Sequence, residues 1–411
     1  MSNLVTDGKS TAPSCSVVIV GAGPAGIGVA LALKRSGVED FVILDARVPG
    51  AAFTAWPQTM RMITPSFYSN PFGLTDLNAI DPDSSPADFL RVGHPSGQEY
   101  AHYLNALVEL HQLPVRAGIK VTELRTDKDG FQLQTTAGSL SAKMVVWAAG
   151  QFFYPKQLDF TGSEVCLHSS KISDWSALEG EDFTIIGGYE SGIDAAVNLC
   201  ELGKNVRLLS RGEPWQVDAA DPSRSLSPRT LDRIRNILKN RKRHGELEFI
   251  RNADIRKVEK EAHWWVLYDQ DDLPMVSRTR PILANGYAGS LGLVAEHFER
   301  VDGNFVFSES CDESTITPGI FYSGPELTHR SSMFCFIYKF RSRFGLIARE
   351  IAARLGIPDA EEQLSTYRAA GFMNEDLDCC TSCQCALETA AETIADPVDY
   401  KEQAQRAMAE I

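Results

Sequence analysis

Two glycine-rich turns, each set between a short β-branched run and a helical stretch, restrict the fold of this chain more than any other feature. The first is Gly21-Ala22-Gly23-Pro24-Ala25-Gly26, entered from the apolar run Ser16–Val20. An Ala/Leu-rich stretch follows to about Ser36, where Gly37 supplies a helix stop. A second apolar run, Phe41–Leu44, ends at Asp45. This is the βαβ pattern of a dinucleotide site. Gly21 permits the tight turn, Gly23 lets a pyrophosphate approach the backbone, and Gly26 lets helix pack on strand. The helix N-terminus offers unpaired N–H groups and a positive dipole end to phosphates. Asp45 can accept hydrogen bonds from a ribose diol and disfavours a 2′-phosphate, so FAD or NAD fits here better than NADP.

The unit recurs 166 residues later. Phe183–Ile186 leads into Gly187-Gly188-Tyr189-Glu190-Ser191-Gly192, then a helical stretch, then the strand Asn205–Leu209. Tyr189 takes the place of the middle glycine, while Gly187, Gly188, Ser191 and Gly192 keep the loop small. At the strand end Ser210 and Arg211 replace the acid. A hydroxyl and a guanidinium there suit a ribose 2′-phosphate, which points to NADPH. Two dinucleotide sites imply a resident carrier and a visiting one, with hydride passing from nicotinamide to flavin.

Between the turns, Lys120–Arg125, Phe131–Thr135 and Lys143–Ala149 read as three strands, and Glu248–Leu283 is similarly β-rich. Both stretches close on small residues, at Ala148-Ala149-Gly150 and at Ala284-Asn285-Gly286. A last strand is expected near Pro318–Pro325, with a helix over about Phe334 to Leu355. The fold class is therefore α/β, two Rossmann-like dinucleotide-binding domains with β-meander insertions. The expected division is 1–165 for the FAD-binding domain's first part, 166–284 for the NADPH-binding domain, 285–375 for the FAD domain's second part and 376–411 for a Cys-rich, acidic tail.

Composition removes other classes. With 40 Lys plus Arg against 54 Asp plus Glu, the net charge is −14, which opposes binding to nucleic acid or anionic membrane. The long apolar stretch Ser16–Leu33 is explained by the first turn rather than by a membrane span. The first fifteen residues lack a signal-peptide pattern. Nine cysteines, four of them crowded into Cys379–Cys385, suit a reducing compartment, so the expected location is cytoplasmic.

From Ser16 to about residue 375 the chain resembles two-dinucleotide-binding-domain flavoproteins. Within them it is similar to the flavin-containing monooxygenase-like proteins, closest to the bacterial flavoproteins associated with cation-diffusion facilitators. The residues carrying this are the two turns, the Ala148–Pro155 signature, and the runs Met62–Gly73 and Phe336–Phe344. The resemblance implies FAD in the first domain and NADPH in the second. It also implies that Val121 contacts adenine, that Gly50 and Trp56 lie beside the flavin, and that Gly324 approaches the ribityl chain. Two departures stand out. The linker segment Phe160–Trp175 keeps Phe160, Gly162, His168 and Ser169 of the monooxygenase motif with altered spacing and no Tyr. Neither CxxC in the second domain nor CxxxxC after the first strand–helix unit is present, as a disulfide reductase of this superfamily would have.

Three readings remain open. A monooxygenase would pass hydride from NADPH to FAD, add O₂ at flavin C4a and oxygenate a small molecule, with His168, Arg61, Thr64 and Ser66 as polar candidates. For His168, a structural linker role competes with catalysis. A thiol, disulfide or soft-metal reductase would use the run Asp378–Cys385, with Cys379 and Cys380 as an exchange pair. A redox-responsive metal-binding flavoprotein would hold its metal on Cys379, Cys380, Cys383 and Cys385. The aromatic cluster Phe334, Phe336, Tyr338, Phe340 and Phe344 is expected to be core packing, and Glu388–Ile411 an amphipathic or frayed extension.

Overall fold

The computed structural model describes residues 14–158, 160–217, 219, 221–240, 243–377 and 394–409. It contains two main sheets. The first runs in the order Val115–Ala117, Phe41–Asp45, Ser14–Val20, Gly138–Trp147, Gly130–Thr135, Val121–Asp127. Strand Gly138–Trp147 serves two partners. Its first half closes an antiparallel meander with Gly130–Thr135, and its second half pairs in parallel with Ser14–Val20 and with Ile320–Tyr322. Val17, Val18, Ile19 and Val145 are fully buried, the unbroken apolar character of a parallel strand covered on both faces.

The second sheet is parallel throughout, in the order Val398–Asp399, Leu247–Arg251, Asn205–Leu209, Asp182–Ile186, Ile282–Leu283, Leu167–His168. A meander of Ile255–Lys260, Trp265–Asp269 and Pro274–Ser277 flanks it. One edge strand of the six, Val398–Asp399, lies nearly 150 residues beyond its neighbour Leu247–Arg251. Tyr400, fully buried, donates its hydroxyl to the carbonyls of Leu267 (3.2 Å) and Leu273 (3.1 Å), which fixes the helix Tyr400–Ala409 on this meander.

Around the first sheet, helix Pro24–Arg35 packs on helix Phe344–Arg354. A methyl group at Gly28 would lie 2.0 Å from the Phe344 ring, so the crossing depends on a glycine there. The helix expected over Phe334–Leu355 starts at Ile337 and tightens at Arg341–Arg343 before continuing. Two features explain this. Ser332–Met333 pairs with Thr328–His329, which keeps the chain extended up to Phe336. The buried guanidinium groups of Arg341 and Arg343 bind the carbonyls of Asp76, Ala79, Glu309 and Asn374, and these off-helix bonds draw the turn inward.

Candidate nucleotide-binding and active site

Both glycine turns sit at the carboxyl ends of parallel strands, where ligands bind in open α/β sheets. In the first, Gly21 has φ +112° and its N–H donates to the Leu44 carbonyl at 2.7 Å. A methyl group at Gly21 would lie 2.2 Å from the Ala148 carbonyl oxygen, and one at Gly26 would lie 1.9 Å from that of Gly21. These two glycines are dictated by packing. Gly23 differs, since a methyl group there meets nothing within 4 Å. The space beside it is what a pyrophosphate needs.

Helix Pro24–Arg35 begins without a side-chain cap. By contrast, Ser96 and Glu99 form a capping box on helix Gly97–Leu110, and Ser227 caps helix Pro228–Lys239. The uncapped amides behind Pro24 and Ala25 are left for an anion. Asp45 fastens the turn from the side, with one carboxylate oxygen accepting Ala22 N–H and the other accepting Arg47 N–H, both at 2.7 Å. Gly50, at φ +72°, donates to the Ala22 carbonyl, and Trp56 leans on Phe53 with centroids 4.8 Å apart. Ala149 borders Gly21, and Gly150 (φ +69°) has open space around it. Gly324 (φ +148°) follows Ser323, whose N–H donates to Trp147. Val121 lies buried at the edge of the meander. The first turn and the small residues beside it form a cradle that fits FAD.

The second turn repeats the backbone. Gly187 has φ +115°, donates to Leu209 at 2.9 Å and would carry a methyl group 2.3 Å from the Ala284 carbonyl oxygen. A methyl group at Gly192 would lie 1.7 Å from the Gly187 carbonyl oxygen. Helix Glu190–Glu201, which carries Ser191, again lacks a side-chain cap. Tyr189 accommodates its bulk by donating its hydroxyl to the carbonyls of Ser223 (3.2 Å) and Ser225 (3.0 Å). Gly188 is closed in by Ser210 and the Trp215 ring. Ser210 is buried, Arg211 is exposed and Gly286 has open space beside it. Glu190 binds Ser227 N–H (2.5 Å) and the Thr230 hydroxyl (2.6 Å), and burial pushes its carboxyl above the usual range. The backbone fits a second nucleotide, with open space beside Gly286 and none over Gly188.

A cleft of about 610 Å³ lies between the two domains. Ile63, Thr64, Leu77 and Phe336 face Trp215, Ser225 and Leu231 across it. Trp215 is 1% exposed and its indole N–H has no acceptor among the described residues. A buried orphan donor on a cleft wall suits a ligand that carries an acceptor. Lys339 joins the domains nearby, donating to Asp221 (2.6 Å) and Ser223 (2.8 Å).

The polar candidates divide. Thr64 lines the cleft, and its carbonyl shares the Asn78 amide with the Ser66 hydroxyl, each at 2.9 Å. Arg61 donates to the carbonyls of Gln58 (2.6 Å) and Met60 (2.9 Å), which hold it at the start of the same segment. His168 lies on the two-residue strand beside Ile282–Leu283. Its Nδ1 accepts Ser170 N–H at 3.1 Å, so the ring proton sits on Nε2 and donates to the Gly286 carbonyl at 3.1 Å. Burial holds its pKa below the usual histidine range. Both nitrogens are thus committed, which suits a linker that positions Gly286.

Cys379, Cys380, Cys383 and Cys385 lie outside the described residues. Among the described residues no group of three or more His, Cys, Asp or Glu is arranged to hold a metal. No helix there is long and apolar enough to cross a membrane. Phe334, Phe340 and Phe344 are buried as expected, whereas Phe336 and Tyr338 border the cleft. Trp215, the Lys339–Asp221 pair and Glu326 were not singled out from the sequence. Lys339 stands inside the Phe336–Phe344 run, so its place was marked although its partner was not.

Residues 18–324 match the family described as pyridine nucleotide-disulphide oxidoreductase. An uncharacterized oxidoreductase, CzcO, of Bacillus velezensis is 29% identical over 187 residues, 44% of this chain and 51% of that protein. The chain thus spans about half the length of that curated relative. Bacilliredoxin reductase Bdr of Bacillus subtilis is 21% identical over 342 residues, 82% of this chain and 97% of that protein. Among solved structures, the bacillithiol disulfide reductase Bdr of Staphylococcus aureus superposes with a TM-score of 0.67 at 20% identity, covering 83% of this chain and 99% of that one. A flavin-containing monooxygenase from Stenotrophomonas maltophilia gives 0.65 at 18% identity, covering 84% and 99%.

Proposed function

Because the chain belongs to the pyridine nucleotide-disulphide oxidoreductase family, whose fold takes FAD and NAD(P)H, we propose that it is an NADPH-oxidising flavoprotein monooxygenase acting on a small molecule in the interdomain cleft. Bound FAD would supply the two-electron chemistry that links nicotinamide to oxygen. Electrons and atoms balance simply. NADPH gives two electrons, one atom of O₂ enters the substrate, and the other leaves as water with the hydride equivalent and a solvent proton.

The observation that carries this reading is the cleft, walled on one side by Ile63, Thr64 and Leu77 and on the other by Trp215 and Ser225. Gly21, Gly23, Pro24, Ala25, Gly26, Asp45, Gly50, Trp56, Val121, Ala149, Gly150 and Gly324 would hold FAD. Gly187, Ser191, Gly192, Arg211 and Gly286 would hold NADPH, with Gly188 and the buried Ser210 supporting the turn from beneath. Ile63, Leu77 and Leu231 give the cleft an apolar part, and the hydroxyls of Thr64 and Ser225 would orient the substrate.

A dithiol route finds little support among the described cysteines. Burial raises Cys15 to about 11 and Cys166 and Cys200 to about 12, far from the thiolate that exchange requires. A second reading, an NADPH-dependent disulfide reductase using Cys379 and Cys380, draws support from the near full-length similarity to bacilliredoxin reductase. There NADPH and a proton would convert one disulfide into two thiols without oxygen.

The test is NADPH oxidation by the purified yellow protein, in air and under nitrogen, across sulfides, amines, ketones and disulfides. Oxygen-dependent, substrate-coupled turnover that survives Cys379→Ser and Cys380→Ser supports the monooxygenase. Turnover with disulfides under nitrogen, lost in those variants, replaces it with the reductase.

A further inference from the structure

A second concavity of about 450 Å³ adjoins the cleft and shares Ile63, Pro65 and Pro228 with it. Its polar lining is His94, Arg229, Asp232, Arg233 and Asn236. The charges there are unevenly matched. Arg233 is paired with Asp194 at 2.5 Å and lies 4.0 Å from Glu201, and Asp232 is paired with Arg235 at 2.9 Å. Arg229 is half-buried and has no hydrogen bond or ion pair among the described residues. Burial first, then the charges of Arg233 and Arg61, hold it below the usual arginine range. His94 donates from Nδ1 to the Met62 carbonyl at 2.8 Å, and its Nε2 has no hydrogen bond among the described residues.

The carboxylates of Asp194 and Glu201 offset the charges of Arg233 and Arg61 only in part, and neither reaches Arg229 by a hydrogen bond or ion pair among the described residues, so its half-buried guanidinium is left short of acceptors. Ile63, Pro65 and Pro228 form the apolar part of the crevice, and Arg229 and Arg233 its cationic part, with Asp232 beside them. We propose that the crevice binds an anionic group, a carboxylate or a phosphate, on Arg229. The group belongs either to a substrate whose reacting end lies in the cleft or to the visiting pyridine nucleotide. This deepens the proposed function and rests on the cleft being where small molecules enter.

The test is calorimetric titration of the FAD-loaded protein with inorganic phosphate, propionate, NADP⁺ and NAD⁺. Arg229→Gln is compared with Lys239→Gln, which removes the same charge from the exposed end of the same helix. The expected result is that at least one anion binds and that Arg229→Gln weakens it about tenfold or more, as loss of a charge-assisted hydrogen bond does. Lys239→Gln leaves it within about twofold, because an exposed charge at that distance is screened. An equal loss for NADP⁺ and NAD⁺ assigns the anion to the coenzyme's pyrophosphate, a loss for NADP⁺ alone moves the 2′-phosphate from Arg211 to Arg229, and a loss confined to phosphate or propionate assigns the anion to a substrate. Absence of binding to the unsubstituted protein, or equal binding by the two variants, overturns the proposal. No turnover enters the measurement, so a failed oxygenation assay and a failed titration are separate results.

Discussion

The Lys339 ammonium lies 2.6 Å from the Asp221 carboxylate, with the two side chains 7% and 11% exposed. Lys339 stands just before the helix that packs on Pro24–Arg35, and Asp221 stands in the segment after strand Asn205–Leu209. One buried pair therefore ties the two nucleotide-binding domains together. Burial alone would push the Asp221 carboxyl up. Lys339 and the Ser223 amide outweigh it and hold the group below its ordinary value. Lys339→Met strands that carboxylate and is expected to destabilise the protein by about 3 kcal/mol in denaturant unfolding near neutral pH. Lys339→Met with Asp221→Asn should recover part of the loss. The sign with pH follows from the depressed pKa. The pair's contribution is complete above the unfolded value of 3.8 and fades as pH falls through the lower folded value. An unchanged gap between wild type and Lys339→Met on acidification would contradict this.

Gly23 and Gly26 are three residues apart and should respond oppositely to the same change. At Gly23, φ is −90° and a methyl group meets nothing, so Gly23→Ala should fold with stability within about 0.5 kcal/mol of wild type when flavin-free. Its flavin retention should nevertheless fall, because the methyl group occupies the space left for pyrophosphate. At Gly26 the methyl group would lie 1.9 Å from a backbone oxygen, and Gly26→Ala should yield little folded protein. Flavin content by absorbance, set beside the apoprotein melting temperature, separates the two. Equal flavin retention in Gly23→Ala and wild type would show that the open space is not a phosphate cradle.

The turns were legible because their glycines answer to local constraints. A strand-to-helix reversal needs positive φ at Gly21 and Gly187, and close packing needs no side chain at Gly26 and Gly192. Tyr189 was visible as a departure from the pattern. That its hydroxyl reaches Ser223 and Ser225, more than thirty residues on, was not. The same limit governs Lys339 and Asp221, 118 residues apart, whose pairing no sequence period encodes. His168 stood out by its place in a linker motif, but its two nitrogens are claimed by a near neighbour, Ser170, and by the distant Gly286. Phe336 and Tyr338 share the apolar character of Phe334, Phe340 and Phe344. Whether an aromatic residue faces a core or a cleft depends on what the other domain places opposite it.

Arg211 tests the coenzyme assignment. It follows the strand end and is exposed, with its partner Ser210 buried beneath Gly188. Replacing it with Gln should weaken NADPH by about 1–3 kcal/mol, the loss of one charge-assisted contact to a phosphate, and leave NADH nearly unchanged. Stopped-flow reduction of the flavin by each coenzyme, read as dissociation constants, measures both. An equal loss for the two would place the 2′-phosphate elsewhere.

Glu326 should make stability fall as pH rises. Its carboxylate accepts Ser290 N–H at 2.8 Å, Leu291 N–H at 3.4 Å and the Tyr322 hydroxyl at 3.4 Å. Gly289 makes room for it, since a methyl group there would lie 1.9 Å from the carboxyl carbon. Burial raises its pKa from 4.5 to about 7, and the three hydrogen bonds only partly oppose this. Between those two values the folded protein holds a proton that the unfolded chain has lost. The native state is therefore progressively penalised as pH rises through this window, and the penalty is complete above the folded value. Its ceiling is roughly 3 kcal/mol. Glu326→Gln keeps an acceptor for the two amides and cannot ionise. Relative to wild type it should gain stability between about pH 5 and about pH 8, read as the difference in unfolding free energy at the two ends. A difference independent of pH would mean that Glu326 ionises alike in the folded and unfolded chains, and that its three hydrogen bonds already offset its burial.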